Sequence, residues 1–277
     1  MKFQYLGTSA SEGVPAVFCE CDMCNEVRRR GGRDIRTRSC AVINDNVMLD
    51  FGPEAYVQSV RFGVHLSKIK HLLVTHPHGD HFQMNNFPLR GGFWGMDLCE
   101  DVMTVYGGKE VFEKVSEYLR TGREVTRPHF AAKKLTAFEA VEDGEYRFIP
   151  LRARHDPSLE CLFYLVEDKR ENKRVLYIHD TENDIDDSLD FISGIRCDMV
   201  SFDCTMARGF VKKGERHMGI QNDILVRDRL IKNGVIDSQT RLVCSHICHH
   251  KGFYDDLARD FAKEGFELAY DGMIIEL

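Results

Sequence analysis

The hydrophobic residues of this chain fall into short runs that are rich in β-branched and aromatic side chains. Runs of this kind, bounded by glycine, proline or aspartate, predict β-strands. The predicted strands are Phe3–Leu6, Cys40–Ile43, Val47–Asp50, His71–Thr75, Met103–Tyr106, Thr136–Val141, Tyr146–Arg152, Leu162–Val166, Val175–Ile178, Met199–Phe202, Arg241–Cys244 and Phe266–Leu277.

Four stretches between these strands show a helical pattern, and each is followed closely by a glycine, which is a common signal for the end of a helix. They are Pro53–Phe62, Glu110–Arg120, Gln221–Lys232 and Tyr254–Lys263. The chain thus begins as a strand-rich meander and continues as mixed strands and helices. This order predicts two sheets packed face to face with helices outside. No repeat or flexible linker divides the sequence, so we expect a single domain over residues 1–277.

Composition and charge narrow the classes of function. The chain has 277 residues, of which 43% are hydrophobic and 29% charged, and its net charge is -7. An acidic chain argues against nucleic-acid binding through a broad basic surface. No apolar run is long enough for a membrane helix or a signal peptide, so we expect a cytoplasmic protein without membrane contact. In that reducing compartment, clustered cysteines indicate metal ligands rather than disulfides.

The strongest chemical signal follows the predicted strand His71–Thr75, where the sequence reads HPHGDH. It places four metal-capable side chains within six residues, namely His76, His78, Asp80 and His81. Imidazole and carboxylate groups are ligands that zinc, manganese and iron accept. The intervening proline and glycine oppose a regular helix or strand, so a loop here can direct neighbouring side chains at two metal centres.

This motif resembles the signature of the metallo-β-lactamase-fold hydrolases. That family also carries a later histidine, a bridging aspartate and a final histidine, each at a strand end. His155, Asp180 and His246 stand in those positions, and the resemblance covers essentially the whole chain. It implies an α+β fold, a four-layer αββα sandwich.

The resemblance also implies how the ligands divide between two catalytic divalent metal ions, which would be manganese or zinc, with iron as a further option. His76, His78 and His155 would hold one ion, Asp80, His81 and His246 would hold the second, and Asp180 would bridge them. Asp80 and Asp180 would thereby act in catalysis. His179 should face away from Asp180, because neighbouring side chains in a strand alternate. His65, His71 and His129 have no comparable context.

Three cysteines, Cys19, Cys21 and Cys24, form a second candidate metal site in a loop spanning residues 19–24. A CxCxxC loop is a strong zinc signal, and a structural zinc takes four protein ligands. His249 is the natural fourth ligand because it lies three residues after His246, and His250 is the alternative. One loop would then serve both the catalytic metals and a structural zinc.

The opening segment LGTSASEGVPAVFCECDMCNEVRR narrows the resemblance to one subgroup. It is similar to the start of the phosphoribosyl 1,2-cyclic phosphate phosphodiesterase (PhnP-like) proteins, which share a GVP triplet, the CxCxxC loop and an ending like YDGM. Here these are residues 13–15, residues 19–24 and residues 270–273. The resemblance implies a small phosphodiester substrate and a homodimer.

His217 lies just before the helical run Gln221–Lys232, where the subgroup has a histidine that assists catalysis. A helix N-terminus favours an anion, and a nearby imidazole could protonate an alkoxide leaving group. The alternative is an exposed histidine at a helix start. Four basic residues upstream could attract phosphate or could form a solvated face; they are Arg208, Lys212, Lys213 and Arg216.

We therefore expect a metal-dependent phosphodiesterase in which a metal-activated hydroxide attacks phosphorus and His217 protonates the leaving oxygen. A ribonuclease of the tRNA 3′-processing type shares the fold and metals. It would need a long basic arm to bind tRNA, and the sequence shows none. Thioester or lactone hydrolysis is a second alternative, and a non-catalytic metal-binding or redox-sensing protein a third. We expect the segments Arg90–Asp101 and Glu110–Lys134 to shape the substrate pocket.

Overall fold

The computed structural model describes residues 1–277, which form fourteen strands and six α-helices. The strands are β1 (Lys2–Gly7), β2 (Cys40–Ile43), β3 (Val47–Leu49), β4 (His71–Leu73), β5 (Met103–Gly107), β6 (Phe130–Lys134), β7 (Val141–Asp143), β8 (Tyr146–Arg152), β9 (Leu162–Asp168), β10 (Lys173–Ile178), β11 (Met199–Asp203), β12 (Arg241–Ser245), β13 (Glu267–Leu268) and β14 (Ile274–Glu276). The helices are α1 (Asp22–Arg30), α2 (Ala55–Phe62), α3 (Lys109–Thr121), α4 (Asp186–Phe191), α5 (Ile220–Lys232) and α6 (Tyr254–Lys263).

The strands form two sheets of seven, in the orders β14-β1-β2-β3-β4-β5-β6 and β13-β12-β11-β10-β9-β8-β7. Side chains such as Phe3, Tyr5, Tyr164 and Tyr177 are buried between the sheets. The outer face of the first sheet is covered by α2 and α3, and that of the second by α4, α5 and α6. The molecule is therefore a four-layer αββα sandwich, and the fold class predicted from the sequence is confirmed.

The two sheets present several strand ends at one edge of the sandwich. Strands β3 to β6 are parallel, as are strands β10 to β13. Strand β8 runs in the same direction as β10, because β9 is antiparallel to both. The carboxyl ends of β4, β8, β10, β11 and β12 therefore lie together, where loops can carry functional side chains from both sheets.

The predicted strand Thr136–Val141 is wrong. Phe138 has a φ of 73° in this segment, and that left-handed conformation interrupts an extended strand. The neighbouring strand β6 was missed because its sequence, FAAKK, has no β-branched residue. It forms instead by pairing with β5 at the edge of the first sheet.

The predicted terminal strand Phe266–Leu277 is two strands in different sheets. β13 pairs with β12 and β14 pairs with β1. Gly272, at a φ of 91°, lies in the turn that separates them. The four predicted helices are present with ends shifted by at most a few residues, whereas α1 and α4 were not predicted. None of the helices combines the length and the apolar character that crossing a membrane requires.

Candidate metal centre

His76, His78 and His155 converge at the shared edge of the two sheets. His76 Nε2 lies 2.9 Å from His78 Nδ1, and His155 Nε2 lies 3.4 Å from the same nitrogen. The first two residues follow β4 in the first sheet, while His155 follows β8 in the second. The predicted first ligand group is therefore assembled from both sheets.

The remaining predicted ligands gather around Asp180, which follows β10. His81 Nε2 lies 2.5 Å from Asp180 Oδ2 and 3.2 Å from Asp80 Oδ2. His246 Nε2, after β12, lies 3.5 Å from Asp180 Oδ2. Asp180 thus stands between the groups, as a bridging ligand would.

The polar atoms at this centre lack the hydrogen bonds that burial normally requires. His81 Nε2, His246 Nε2 and Asp180 Oδ2 are buried and face one another, and none of them has a partner in hydrogen-bonding geometry. A buried polar atom left unpaired costs roughly 1–3 kcal/mol. A cation bound among these atoms would remove that cost, so the donor set fits the divalent ions that the sequence predicts.

Hydrogen bonds orient His76 and His81 toward the centre. Asp50 Oδ2 lies 2.7 Å from His81 Nδ1, so it accepts that proton and leaves Nε2 free as a ligand. Thr75 donates its hydroxyl to Asp50 Oδ1 at 2.9 Å, and its oxygen accepts from His76 Nδ1 at 3.1 Å. Both imidazoles therefore present Nε2 to the metal centre.

His78 and His155 are oriented in the same manner by other partners. Asp156 Oδ2 lies 3.3 Å from His78 Nε2, which leaves Nδ1 as the ligand atom. The backbone carbonyl of Arg216 accepts from His155 Nδ1 at 3.2 Å and leaves Nε2 free. Burial lowers the pKa of His155, which favours the neutral form that binds metal.

The orientation of His246 depends on Thr205 and Asp203, near the end of β11. Thr205 donates its hydroxyl to Asp203 Oδ1 at 2.8 Å, and its oxygen lies 2.7 Å from His246 Nδ1. His246 Nδ1 therefore donates to Thr205. This arrangement leaves Nε2 of His246 as the ligand atom, so all five predicted histidine ligands offer a free nitrogen to the centre.

His217 lies beside this centre, just before α5. Its Nδ1 is 3.1 Å from Asp203 Oδ2 and 3.3 Å from Asp180 Oδ1. Burial alone would lower the pKa of His217, but the two carboxylates outweigh burial and raise it to about 9. Asp203 holds Nδ1 of His217, so Nε2 is available to a substrate.

Three residues of the centre have left-handed backbone conformations, although none is glycine. The φ angles are 61° for Asp50, 50° for Asp180 and 64° for His246. Such conformations persist only where surrounding interactions enforce them, and they concentrate at functional sites. We infer that these backbone conformations are retained because they place the three side chains at the centre.

The three cysteines of the loop at residues 19–24 form a second cluster with His249. Ligand atoms of Cys19, Cys21, Cys24 and His249 all lie within 4.8 Å of one another. The backbone N–H of Cys24 lies 3.5 Å from Cys21 Sγ and lowers the pKa of the Cys21 thiol to about 7. Three thiols and one imidazole are a donor set that suits a structural zinc.

A hydrogen bond to Glu12 distinguishes His249 from His250 as the fourth ligand of the cysteine cluster. Glu12 Oε1 accepts a hydrogen bond from His249 Nδ1 at 2.8 Å, which leaves Nε2 free toward the cysteines. His250 Nδ1 instead lies 3.2 Å from Cys248 Sγ. His249 is thus the residue that the structure brings to the CxCxxC cluster, and a carboxylate orients it as in many zinc sites.

Several partners of the predicted ligands were missed in the sequence. They are Glu12, Asp50, Thr75, Asp203 and Thr205. Asp50 directly follows β3, and Asp203 is the last residue of β11. An acidic residue at a strand end could therefore have indicated both of them from the sequence. His179 faces away from the centre, as predicted, and lies 2.8 Å from Ser201 Oγ inside the sandwich.

The large cavity beside His155 is not lined by the segments that we expected from the sequence to shape the substrate pocket. It has a volume of about 860 Å³ and is lined by parts of residues 136–137, 152–162, 182–184 and 213–216. Neither Arg90–Asp101 nor Glu110–Lys134 lines it. The first segment lies over the outer face of the first sheet, and the second forms α3 and β6.

Comparisons with known proteins agree with this geometry. Residues 45–247 match the family model described as the β-lactamase superfamily domain. Ribonuclease BN of Cronobacter sakazakii is 27% identical over 124 residues, which are 44% of this chain and 39% of the ribonuclease. This chain therefore spans well under half the length of that curated relative.

Two solved structures show the same fold over the whole chain. A diphosphatase from the PhnP family is 20% identical with a TM-score of 0.74, and the match covers 100% of this chain and 97% of that protein. Zn²⁺-bound PqqB from Methylobacterium extorquens is 20% identical with a TM-score of 0.73, covering 100% of both chains. Together with the matched family model and the ligand geometry, these likenesses lead to one conclusion: the chain belongs to the β-lactamase superfamily and has the metallo-β-lactamase hydrolase fold.

Proposed function

We propose that this chain hydrolyses a small phosphodiester, cyclic or linear, at a centre of two divalent metal ions. The observation that carries the proposal is the convergence of the predicted ligands around Asp180, with His217 beside them. Manganese or zinc is the metal we propose for the catalytic centre, and zinc for the cysteine cluster.

In the proposed reaction the metal ions and the side chains around them have separate roles. Two bound metal ions would supply a water nucleophile at neutral pH and offset charge on the phosphoryl oxygens. His217 holds a proton that it can give to the leaving oxygen, and Asp203 fixes its ring through Nδ1. Asp180 faces both His81 and His217, so it couples the ligand group to the proton donor.

A proton donor in this place favours phosphodiesters over thioesters. An alkoxide leaves phosphorus poorly unless it is protonated, whereas a thiolate leaves without a proton. The Ribonuclease BN relative acts on RNA by its name, which is also a phosphodiester chemistry. A small substrate agrees with the net charge of -7, because no broad basic surface is needed.

The test is a substrate screen of the purified protein after reloading with manganese or zinc. Cyclic and linear phosphodiesters, thioesters and lactones would be compared. We expect turnover of phosphodiesters, and we expect Asp80→Ala to abolish it while circular dichroism stays that of the wild type. Normal turnover in Asp80→Ala would contradict the two-metal proposal, and turnover confined to thioesters or lactones would contradict the substrate class.

The second candidate is a ribonuclease that processes tRNA 3′ ends, and the similarity to Ribonuclease BN favours it. It predicts tRNA binding that weakens steeply with salt, because each phosphate contact releases counterions. Binding of tRNA at physiological salt, measured by fluorescence anisotropy, would support this candidate over the small phosphodiester.

A further inference from the structure

The connection between β11 and α5, residues 204–219, carries His217 but contains no helix or strand. Its last part turns sharply, because Gly214 has a φ of 92° and Arg216 a φ of 68°. Glycine adopts this left-handed region without strain, whereas arginine does not. Such a conformation persists only where surrounding contacts enforce it. The connection therefore needs an anchor from elsewhere in the protein, close to His217.

The side chain of Glu182, which follows β10, is that anchor. Its Oε1 accepts hydrogen bonds from the N–H groups of Gly214 and Arg216, at 3.0 and 3.1 Å. Hydrogen bonds to a carboxylate are roughly twice as strong as those between neutral groups. Glu182 is only 9% exposed, and its own N–H donates to the carbonyl of Arg154 at 3.0 Å. The anchor is therefore itself fixed to the segment that follows β8, directly before His155.

The other contacts of residues 212–216 hold this part of the connection less firmly. Lys213 pairs with Asp184, but these side chains are 80% and 47% exposed, and exposed ion pairs contribute little to stability. The Glu215 N–H donates to the carbonyl of Lys212, within the same segment. The buried carboxylate of Glu182 is thus the main restraint on the backbone before His217.

The backbone that Glu182 anchors controls two histidines of the metal centre. The carbonyl of Arg216 accepts from His155 Nδ1 at 3.2 Å, which leaves Nε2 of His155 as the ligand atom. The next residue is His217, whose Nδ1 lies 3.1 Å from Asp203 Oδ2. The hydrogen bonds of the Glu182 carboxylate go to the backbone and to neither imidazole. Glu182 therefore acts on both histidines through the backbone between them.

We propose that Glu182 is a positioning residue that serves metal binding and proton transfer together. It keeps the Arg216 carbonyl on His155, which sets the ring orientation of a metal ligand, and it keeps His217 beside Asp203. The part of this inference that concerns proton transfer rests on the proposed phosphodiesterase function. The part that concerns metal binding does not, so the two can be tested separately.

The first test compares kcat for two diesters, thymidine 5′-(methyl phosphate) and thymidine 5′-(p-nitrophenyl phosphate). Only the methyl ester must lose an alkoxide, which needs a proton. In Glu182→Ala, we expect the methyl ester to slow by about tenfold more than the nitrophenyl ester. Glu182→Gln should restore the wild-type ratio, because its amide oxygen still accepts from both N–H groups. A loss of stability alone would slow both esters equally.

The matched control is Asp198→Ala. Asp198 is also 9% exposed and accepts the Arg174 N–H at 2.9 Å, but it lies before β11, at the opposite edge of the sheet. This variant should lower the melting temperature and keep the wild-type ratio of the two esters. If Glu182→Ala does not fold, Glu182→Asp takes its place, because the shorter side chain withdraws the acceptor and retains the charge.

The second test measures metal binding by calorimetry with Mn²⁺, which suits the histidine and carboxylate group better than the thiols. Glu182→Ala should bind Mn²⁺ about tenfold more weakly than the wild type, whereas Glu182→Gln and Asp198→Ala should bind it normally. If the wild type hydrolyses neither ester, the proposed function fails, and this measurement still decides the inference. Wild-type Mn²⁺ affinity in Glu182→Ala, equal slowing of both esters, or a Glu182→Gln variant as impaired as Glu182→Ala would overturn it.

Discussion

His217 lies between two carboxylates, and its proposed role as a proton donor can be isolated by the choice of leaving group. In His217→Ala, we expect hydrolysis of a diester with an alkoxide leaving group to slow by about 100-fold or more. A p-nitrophenyl ester should slow much less, because nitrophenolate leaves without a proton. The measurement is kcat for both substrates, with His129→Ala as the control because His129 pairs only with Asp101. Equal losses for both substrates would remove His217 from the acid role.

His71 is one of the buried histidines that should make the stability of the fold depend on pH. It is buried at the start of β4, and burial lowers its pKa from 6.5 to about 4, against the attraction of Asp143. Between these values the unfolded chain binds a proton that the folded chain does not. Stability is therefore complete above pH 6.5 and is lost as pH falls toward 4, by about 3 kcal/mol.

Denaturant unfolding of the wild type and of His71→Gln across this pH range checks the prediction. The free energy of unfolding of His71→Gln should depend less on pH than that of the wild type, because glutamine does not titrate. This expectation holds whatever the stability of the variant at neutral pH. A wild-type slope that persists in full in the variant would assign the titration to other groups.

At the scale of elements, the segment Ser245–His250 and the loop at residues 19–24 are the parts that join the two candidate metal sites. His246 points to the catalytic group, whereas His249 joins the cysteines. We expect Cys21→Ser and His249→Ala to lose one zinc equivalent and to lower the melting temperature before the chemistry is affected. His250→Ala is the matched control and should retain the metal. Elemental analysis that finds a full zinc complement in His249→Ala would show the fourth ligand to be misassigned.

At the scale of the whole molecule, metal binding should stabilise the packing of the two sheets. His76 and His81 belong to the first sheet, while His155, Asp180 and His246 belong to the second. A ligand at 100 times its Kd contributes about 2.7 kcal/mol to the folded state. Removing metal with a chelator should therefore lower the melting temperature of the wild type. The shift should shrink in Asp180→Asn, and an equal shift there would place the stabilising metal at the cysteine cluster.

The sequence alone was enough to identify the chemistry wherever the participating residues are close along the chain. The HPHGDH loop and the CxCxxC loop carry their ligands within a few residues, so residue type and spacing indicated metal binding directly. The strands with β-branched and aromatic runs were likewise predictable, because this pattern is local. Strand β6, with its Ala and Lys residues, was not, since pairing with β5 rather than local preference forms it.

Only the tertiary structure decided which distant residues meet. Nothing near His246 in the sequence indicates that Thr205 orients it, or that Asp203 holds His217. The choice of His249 over His250 depends on Glu12, more than two hundred residues away along the chain. Four of the seven predicted ligands stand together in the HPHGDH loop, whereas His155, Asp180 and His246 were chosen because they stand where the resemblance to the metallo-β-lactamase-fold hydrolases places ligands. The hydrogen-bond partners of the ligands depend on distances set by the packing of two sheets, and a linear pattern does not contain those distances.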